Sequence, residues 1–145
     1  MNKSAKPYID YTAWKGWDDK SPFGSISPVE RECFKYQLDK YNIEYKNINA
    51  LEIGFGNGGF IKFLLENNST VTGLEIQEEQ LEKAQHLGIE TYSLIENIAN
   101  KKYDLIVGFD VLEHLSITEL QNFFSKAESL LAKDGVMFFR FPNAD

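Results

Sequence analysis

The sequence is poor in the residues that build disulfides and metal clusters. Its 145 residues include a single cysteine, Cys33, and two histidines, His86 and His114. One cysteine can form neither an intrachain disulfide nor a thiolate metal cluster. The two histidines are isolated in the sequence, so we predict no metal site.

Positive charge and long apolar runs are also scarce. Lys and Arg total 15 against 22 Asp and Glu, which gives a formal net charge of -7, and no stretch concentrates the cations that neutralise nucleic-acid phosphates. The longest apolar runs span a few residues, too few to cross a membrane, and the first residues lack the apolar core of a signal peptide. We therefore expect a cytoplasmic protein that binds neither nucleic acid nor membrane.

The composition is sufficient for one folded domain. The chain is 43% hydrophobic and 14% aromatic, which suits a single core at this length. Residues 1–26 carry aromatic side chains among polar residues and turn formers, and they show no periodicity. They predict either an aromatic strap on the core or a lid over a ligand. Residues 27–145 are expected to form the main domain.

The most informative stretch, residues 50–60, reads ALEIGFGNGGF: a short apolar run breaks into alternating glycines and then resumes at helical spacing. Gly54, Gly56 and Gly58 suit a strand-to-helix turn in which main chain approaches a ligand closely. Glu75 ends the next apolar run about 20 residues later, where nucleotide-binding folds place a carboxylate for ribose hydroxyls. The stretch predicts a nucleotide-like ligand, and a tight turn without a ligand is the alternative.

Strand and helix patterns alternate along the chain. Strands are expected at residues 50–53, 70–74, 90–93, 103–109 and 136–141, and helices at about 27–41, 60–66, 77–85 and 116–132. Capping-box sequences open the first and last helices, and the third carries an apolar stripe of Leu81, Ala84 and Leu87. This alternation predicts an α/β fold with a Rossmann-like, doubly wound parallel sheet that binds its ligand at the carboxyl ends of the strands.

Three blocks of sequence resemble the class I S-adenosylmethionine-dependent methyltransferases. They are LEIGFGNG at 51–58, GLEI at 73–76 and YDLIVGFDVLEHL at 103–115. LAKDGV at 131–136 is similar to the stretch that leads into the fifth strand of the family. The resemblance covers about residues 48–143, and it implies transfer of a methyl group from S-adenosylmethionine.

The resemblance implies a set of cofactor-binding residues: Glu52, Gly54, Phe55, Gly56, Gly58, Glu75, Ile76, Glu96, Phe109 and Asp110. Glu52 would hold the ammonium at the methionine end of the cofactor, and the glycines would let main chain lie against it. Glu75 would bind both ribose hydroxyls, and Ile76 would pack on the adenine face.

Three further roles concern the sulfonium, the adenine amine and the acceptor. Phe109 and Asp110 would line the sulfonium end of the cofactor. Many members bind the adenine amine with an acid after the third strand; this chain has SLIE at 93–96, so the role would fall to Glu96 or to main chain. His114 would lie near the acceptor as a general base, or would simply pack at its turn.

The chain is also loosely similar to bacterial methyltransferases of sugar and polysaccharide pathways, through FPN at 141–143 and the aromatic N-terminal segment. This similarity and the net charge favour a small-molecule or glycan acceptor. Members of the family usually continue with a helix and two more strands. We therefore expect a fold truncated after the fifth strand: a fragment, or a chain whose fifth strand pairs with a second copy or a partner chain.

Two other functions fit part of the pattern. One is a module that binds S-adenosylmethionine without catalysis and works with a partner. The other is an NAD-binding oxidoreductase, because the run of Gly54, Gly56, Gly58 and Gly59, together with Glu75, overlaps the dinucleotide fingerprint. It is less favoured, since that fingerprint wants a longer strand lead and gives residues 110–115 no role.

Overall fold

The computed structural model describes residues 22–142. Within this part, five parallel strands form one sheet in the order β3-β2-β1-β4-β5. The strands are β1 (Asn49–Ile53), β2 (Thr70–Leu74), β3 (Glu90–Tyr92), β4 (Tyr103–Phe109) and β5 (Leu131–Arg140). The helices are α1 (Pro28–Lys40), α2 (Gly59–Glu66), α3 (Glu78–His86) and α4 (Ile117–Leu130). This order confirms the expected doubly wound α/β sheet, with β5 at one edge.

Part of the expected organisation lies outside the described residues. Residues 1–21, most of the segment that was expected to be a strap or a lid, fall in this category, and so do residues 143–145. None of the described helices has both the length and the apolarity needed to cross a membrane.

Alternate residues of each strand point to opposite sides of the sheet. Both sides carry apolar side chains, and helices cover both. On one side, Ala50 of β1 packs in a cluster with Leu38 of α1 and Phe63 of α2. On the other side, Leu51 belongs to a cluster that contains Phe123 of α4. From β1 the chain first adds β2 and β3 on one side, and then adds β4 and β5 on the other side of β1. The strand order therefore switches between β1 and β4, where ligands of such sheets bind.

Both predicted capping boxes are present. At the start of α4, the Ser116 hydroxyl accepts a hydrogen bond from the Glu119 amide at 3.2 Å, and the Glu119 carboxylate accepts one from the Ser116 amide at 2.7 Å. Ser27 and Glu30 make the same pair of bonds at the start of α1. Each box satisfies amides that have no partner inside the helix.

The fifth strand starts earlier than the sequence predicts. β5 begins at Leu131, directly after α4, rather than at Val136. Tyr103 of β4 pairs with Leu131, whereas Leu105 pairs with Val136, so the register shifts between the two pairs. Asp134 has a left-handed φ of 64°. The expected turn is therefore a bulge inside the strand.

α3 buries a glutamine that does not belong to the predicted apolar stripe of Leu81, Ala84 and Leu87. Gln80 and Ala84 are fully buried, whereas Leu87 is 63% exposed. The prediction for Leu87 was wrong because α3 ends at His86, one residue earlier. Neither the nitrogen nor the oxygen of the Gln80 amide has a hydrogen-bond partner among residues 22–142. An amide buried in this way opposes folding.

Replacing Gln80 with an apolar residue of similar length is expected to stabilise the protein. Gln80→Met removes the unpaired amide, so the free energy of unfolding should rise by about 1–3 kcal/mol in urea denaturation. Gln121→Met, at an exposed position of α4, is the control and should change stability by less than about 0.5 kcal/mol. A destabilised Gln80→Met protein would show that the amide is satisfied.

Candidate functional site

Two carboxylates lie buried at the carboxyl edge of the sheet. Glu52 of β1 is 3% exposed, and Glu75, directly after β2, is 4% exposed. β1 and β2 are parallel, with Glu52 opposite Gly73, so both acids reach the same edge. The sequence predicted both residues as ligand contacts, and the structure brings them together.

Glu75 ties the glycine turn to the start of α3. One carboxylate oxygen accepts a hydrogen bond from the Gly56 amide at 2.9 Å. The other accepts bonds from the amides of Ile76 at 2.8 Å and Gln77 at 3.2 Å. Burial raises the pKa of Glu75, and these backbone hydrogen bonds oppose the rise. Glu75 therefore joins the glycine turn to the segment before α3, in addition to its expected role of binding ribose hydroxyls.

Glu52 accepts no comparable set of backbone hydrogen bonds from the described residues. Its Oε2 atom is buried and accepts no hydrogen bond from the part of the chain that the structure describes. Burial, and then the negative charge of Glu75, raise the pKa of Glu52 well above its ordinary value of 4.5. A nearby cation would favour ionised Glu52. The Glu52 carboxyl is thus suited to a positively charged ligand.

The glycines between these acids adopt left-handed backbone. The φ angles are 65° at Gly54, 51° at Gly56 and 77° at Gly58. A Cβ atom on Gly54 would lie 2.5 Å from a methyl group of Val111, and one on Gly58 would lie 2.4 Å from the Phe23 ring. Protein side chains thus pack against two of the three glycines, and this packing fixes the turn.

Phe55 of the glycine turn is a core residue. Its side chain is 4% exposed, and the Phe23 ring lies edge-on to it with 6.0 Å between the centroids. On its other side the ring lies so close to Gly73 that a Cβ atom there would be 2.6 Å away. The expected contact of Phe55 with a cofactor is therefore limited to its main chain.

A cavity of about 330 Å³ opens beside Glu75, on the side of the sheet covered by α4. The predicted site residues on its wall are Gly54, Glu75, Ile76, Glu96 and His114. Ile76 is 51% exposed. His114 lies 3.7 Å from Glu113, measured between Nε2 and Oε1. The structure therefore places His114 with the residues predicted to bind the nucleoside end of a cofactor.

Several wall residues were not predicted. Leu115, Glu119, Asn122 and Phe123 contribute from α4 and the segment before it. The last three belong to a capping box and an amphipathic helix, which indicate structure rather than a binding role, whereas Leu115 ends the motif block at 103–115. Val111 also lies on the wall; it belongs to the motif block at 103–115, so the sequence could have indicated it.

Phe109 and Asp110 are not on the cavity wall. Phe109 packs on the other side of the sheet, with its ring centroid 4.9 Å from that of Phe60 and 5.4 Å from that of Phe34. Asp110 has a left-handed φ of 54°. Its amide donates to the Arg140 carbonyl oxygen at 2.9 Å, and its carboxylate accepts from the Arg140 guanidinium at 3.3 Å. Arg140 was not predicted as a site residue.

The chain matches the family model of the methyltransferase domain over residues 51–137. It belongs to the S-adenosylmethionine-dependent methyltransferases. It is 34% identical to an uncharacterized methyltransferase of Anoxybacillus flavithermus, an alignment that covers 92% of this chain and 66% of the relative. It is 23% identical to a ubiquinone biosynthesis O-methyltransferase of Pelagibacter ubique, over 95% of this chain and 64% of that protein.

A solved methyltransferase structure has the same fold. The N-methyltransferase NodS from Bradyrhizobium japonicum, solved in complex with S-adenosyl-L-homocysteine, superposes with a TM-score of 0.61 at 22% identity. The match covers 83% of this methyltransferase chain and 63% of NodS. The chain therefore spans about two thirds of the length of the relatives it matches.

The raised pKa of Glu52 predicts how stability changes with pH in the absence of ligand. Folded Glu52 binds its proton more tightly than unfolded Glu52, so the free energy of unfolding should fall as pH rises from 4.5 through the raised pKa. Urea denaturation across this range measures the slope. Glu52→Gln should reduce the slope to the part that the raised pKa of Glu75 contributes, and it should stabilise the ligand-free protein at neutral pH.

Glu128→Gln, an exposed change on α4, is the control and should keep the slope of the wild-type protein. A wild-type protein whose stability rises across the same pH range would contradict the assignment, and so would a Glu52→Gln protein with an unchanged slope.

Proposed function

We propose that this chain binds S-adenosylmethionine at the carboxyl edge of its sheet and that the whole protein transfers the methyl group to a small-molecule or glycan acceptor. The observation that carries the proposal is the buried Glu52 oxygen, which accepts no hydrogen bond from the described residues. When bound, S-adenosylmethionine supplies a methyl group activated on a positively charged sulfur, together with an ammonium at its methionine end.

The cavity beside Glu75 suits the nucleoside end of the cofactor. Its volume of about 330 Å³ is near the lower end of the range for small-molecule sites, as expected for part of a ligand. Ile76, Leu94 and Phe123 supply apolar wall for the adenine ring. Glu75 lies on the same wall, and its oxygens can accept further hydrogen bonds from ribose hydroxyls.

Glu52 is suited to the cationic, methionine end of the cofactor. It alternates along β1 with Leu51 and Ile53, which pack on the α4 side, so its side chain points to the opposite side of the sheet. A cofactor that reaches both the cavity and Glu52 must therefore pass over the glycine turn. Attraction between an ammonium and a buried carboxylate is strong because little water screens it.

Methyl transfer needs accurate alignment more than it needs catalytic side chains. Phe109 and Asp110, at the end of β4, are proposed to lie near the sulfonium. His114 can act as a general base where the acceptor must lose a proton. Its place on the cavity wall, however, favours contact with the bound nucleoside.

Calorimetry with S-adenosylhomocysteine tests cofactor binding. We expect the wild-type chain to bind and Glu75→Gln to bind about 10- to 100-fold more weakly, because it loses hydrogen bonds made by a charged group. Glu128→Gln should bind like the wild type. Absence of binding would overturn the proposal, and tight binding of NAD without binding of S-adenosylhomocysteine would indicate an oxidoreductase instead.

The same titrations reveal the charge of Glu52. Binding of the ligand ammonium should ionise Glu52, so protons should be released at a pH below its raised pKa in the ligand-free protein. Runs in buffers with different ionisation enthalpies measure this release, and Glu52→Gln should abolish it. Equal proton release by the variant would show that another group titrates.

A second candidate function is a cofactor-binding module without catalysis of its own. It is favoured by one observation: His114, the candidate general base, lies on the wall of the cavity that is proposed for the nucleoside. A methyl-transfer assay on a panel of small-molecule and glycan acceptors separates the two functions. Transfer to any acceptor supports the enzyme, and binding without transfer supports the module.

A further inference from the structure

We propose that Arg140 forms, on the face of Phe109, a site for an anionic group of the methyl acceptor, either a carboxylate or a phosphate. The inference rests on the proposed function, since it concerns the acceptor of that reaction. Arg140 and Phe109 are the last residues of β5 and β4, and they are paired in the sheet. They therefore lie at the same edge as Glu52 and Glu75.

The Phe109 ring contacts the guanidinium of Arg140. The central carbon of the Arg140 guanidinium lies 4.7 Å from the centroid of the Phe109 ring. That ring is itself packed against Phe60 at 4.9 Å and against Phe138 at 6.4 Å. Attraction between the cation and the ring keeps the guanidinium beside the end of β4. It leaves guanidinium N–H groups for other partners.

The Asp110 carboxylate accepts a hydrogen bond from only one of the guanidinium N–H groups of Arg140. A single hydrogen bond joins Arg140 to the Asp110 carboxylate, at 3.3 Å. The side chains of Arg140 and Asp110 are 41% and 28% exposed, so a ligand can reach them. The remaining N–H donors form a planar fork, whose spacing matches two oxygens of one carboxylate or phosphate.

The charges around the site favour one anionic group at this position. Glu52 and Glu75 give the carboxyl edge negative charge and would repel an anion elsewhere along it, whereas the charge of Asp110 is paired with Arg140 itself. Described lysines near β4 and β5 lie towards the amino ends of those strands, at Lys102 before β4 and at Lys133 early in β5. Arg140 would therefore orient an acceptor by its anionic group, with the rest of the molecule towards the end of β4.

Nuclear magnetic resonance of the chain saturated with S-adenosylhomocysteine tests this site. Sodium phosphate and sodium acetate are titrated separately at constant ionic strength, with acetamide as the neutral counterpart of acetate. The reporter is the Asp110 backbone amide, which donates to the Arg140 carbonyl oxygen and is present in every variant. We expect a saturable shift with phosphate, acetate or both, and none with acetamide.

Two variants assign the shift to the guanidinium. Arg140→Gln should weaken anion binding at least about tenfold, and Arg140→Lys should weaken it less, because it keeps the charge but loses the planar fork. Arg31→Gln, which removes an ion pair with Glu66 on the helices, should leave it unchanged. Each variant should keep the dispersed amide spectrum of the wild-type protein, which shows that the fold is intact, and each is titrated under saturating S-adenosylhomocysteine.

The inference would be overturned if neither anion gave a saturable shift in the wild-type chain. It would also be overturned if Arg140→Gln and Arg140→Lys bound the anion with the affinity of the wild type. Arg140 would then serve only to neutralise Asp110. Failure of the wild-type chain to bind S-adenosylhomocysteine would instead overturn the proposed function, so the two failures are distinguishable.

Discussion

Two buried carboxylates set next to each other at the end of a parallel sheet are the constraint on which this structure depends. Parallel pairing of β1 with β2 brings Glu52 and Glu75 to one edge, and burial raises the pKa of both. Glu75 is compensated by amides of Gly56, Ile76 and Gln77, whereas Glu52 has a buried oxygen without a hydrogen bond among the described residues. An unpartnered buried acid opposes folding. We infer that its compensation comes from a cationic ligand.

The glycine turn between the acids is held from two directions. Glu75 accepts a hydrogen bond from the Gly56 amide, while Phe23 and Val111 occupy the space that Cβ atoms of Gly58 and Gly54 would need. A turn fixed in this way needs little rearrangement to receive a ligand, so less of the binding free energy is lost to ordering. The glycines therefore serve the internal packing of the turn as much as an approach by a ligand.

The sequence predicted what depends on local pattern. Alternating apolar runs and two capping boxes predicted the order of strands and helices, and the parallel fold then placed Glu52 and Glu75 at one edge. Features that depend on packing between distant segments were not predicted. Arg140 meets Phe109 and Asp110 only through the register of β4 with β5. Asn122 reaches the cavity only because of the way α4 packs, and no motif specifies either arrangement.

The central claim is that one ligand spans the cavity and the Glu52 carboxylate. A crystal structure of the chain with S-adenosylhomocysteine tests it most directly. We expect the adenine ring in the cavity against Ile76, the ribose hydroxyls hydrogen-bonded to Glu75, and the ligand ammonium within contact distance of Glu52. A bound ligand that leaves the cavity unfilled, or that places no positive charge near Glu52, would contradict it.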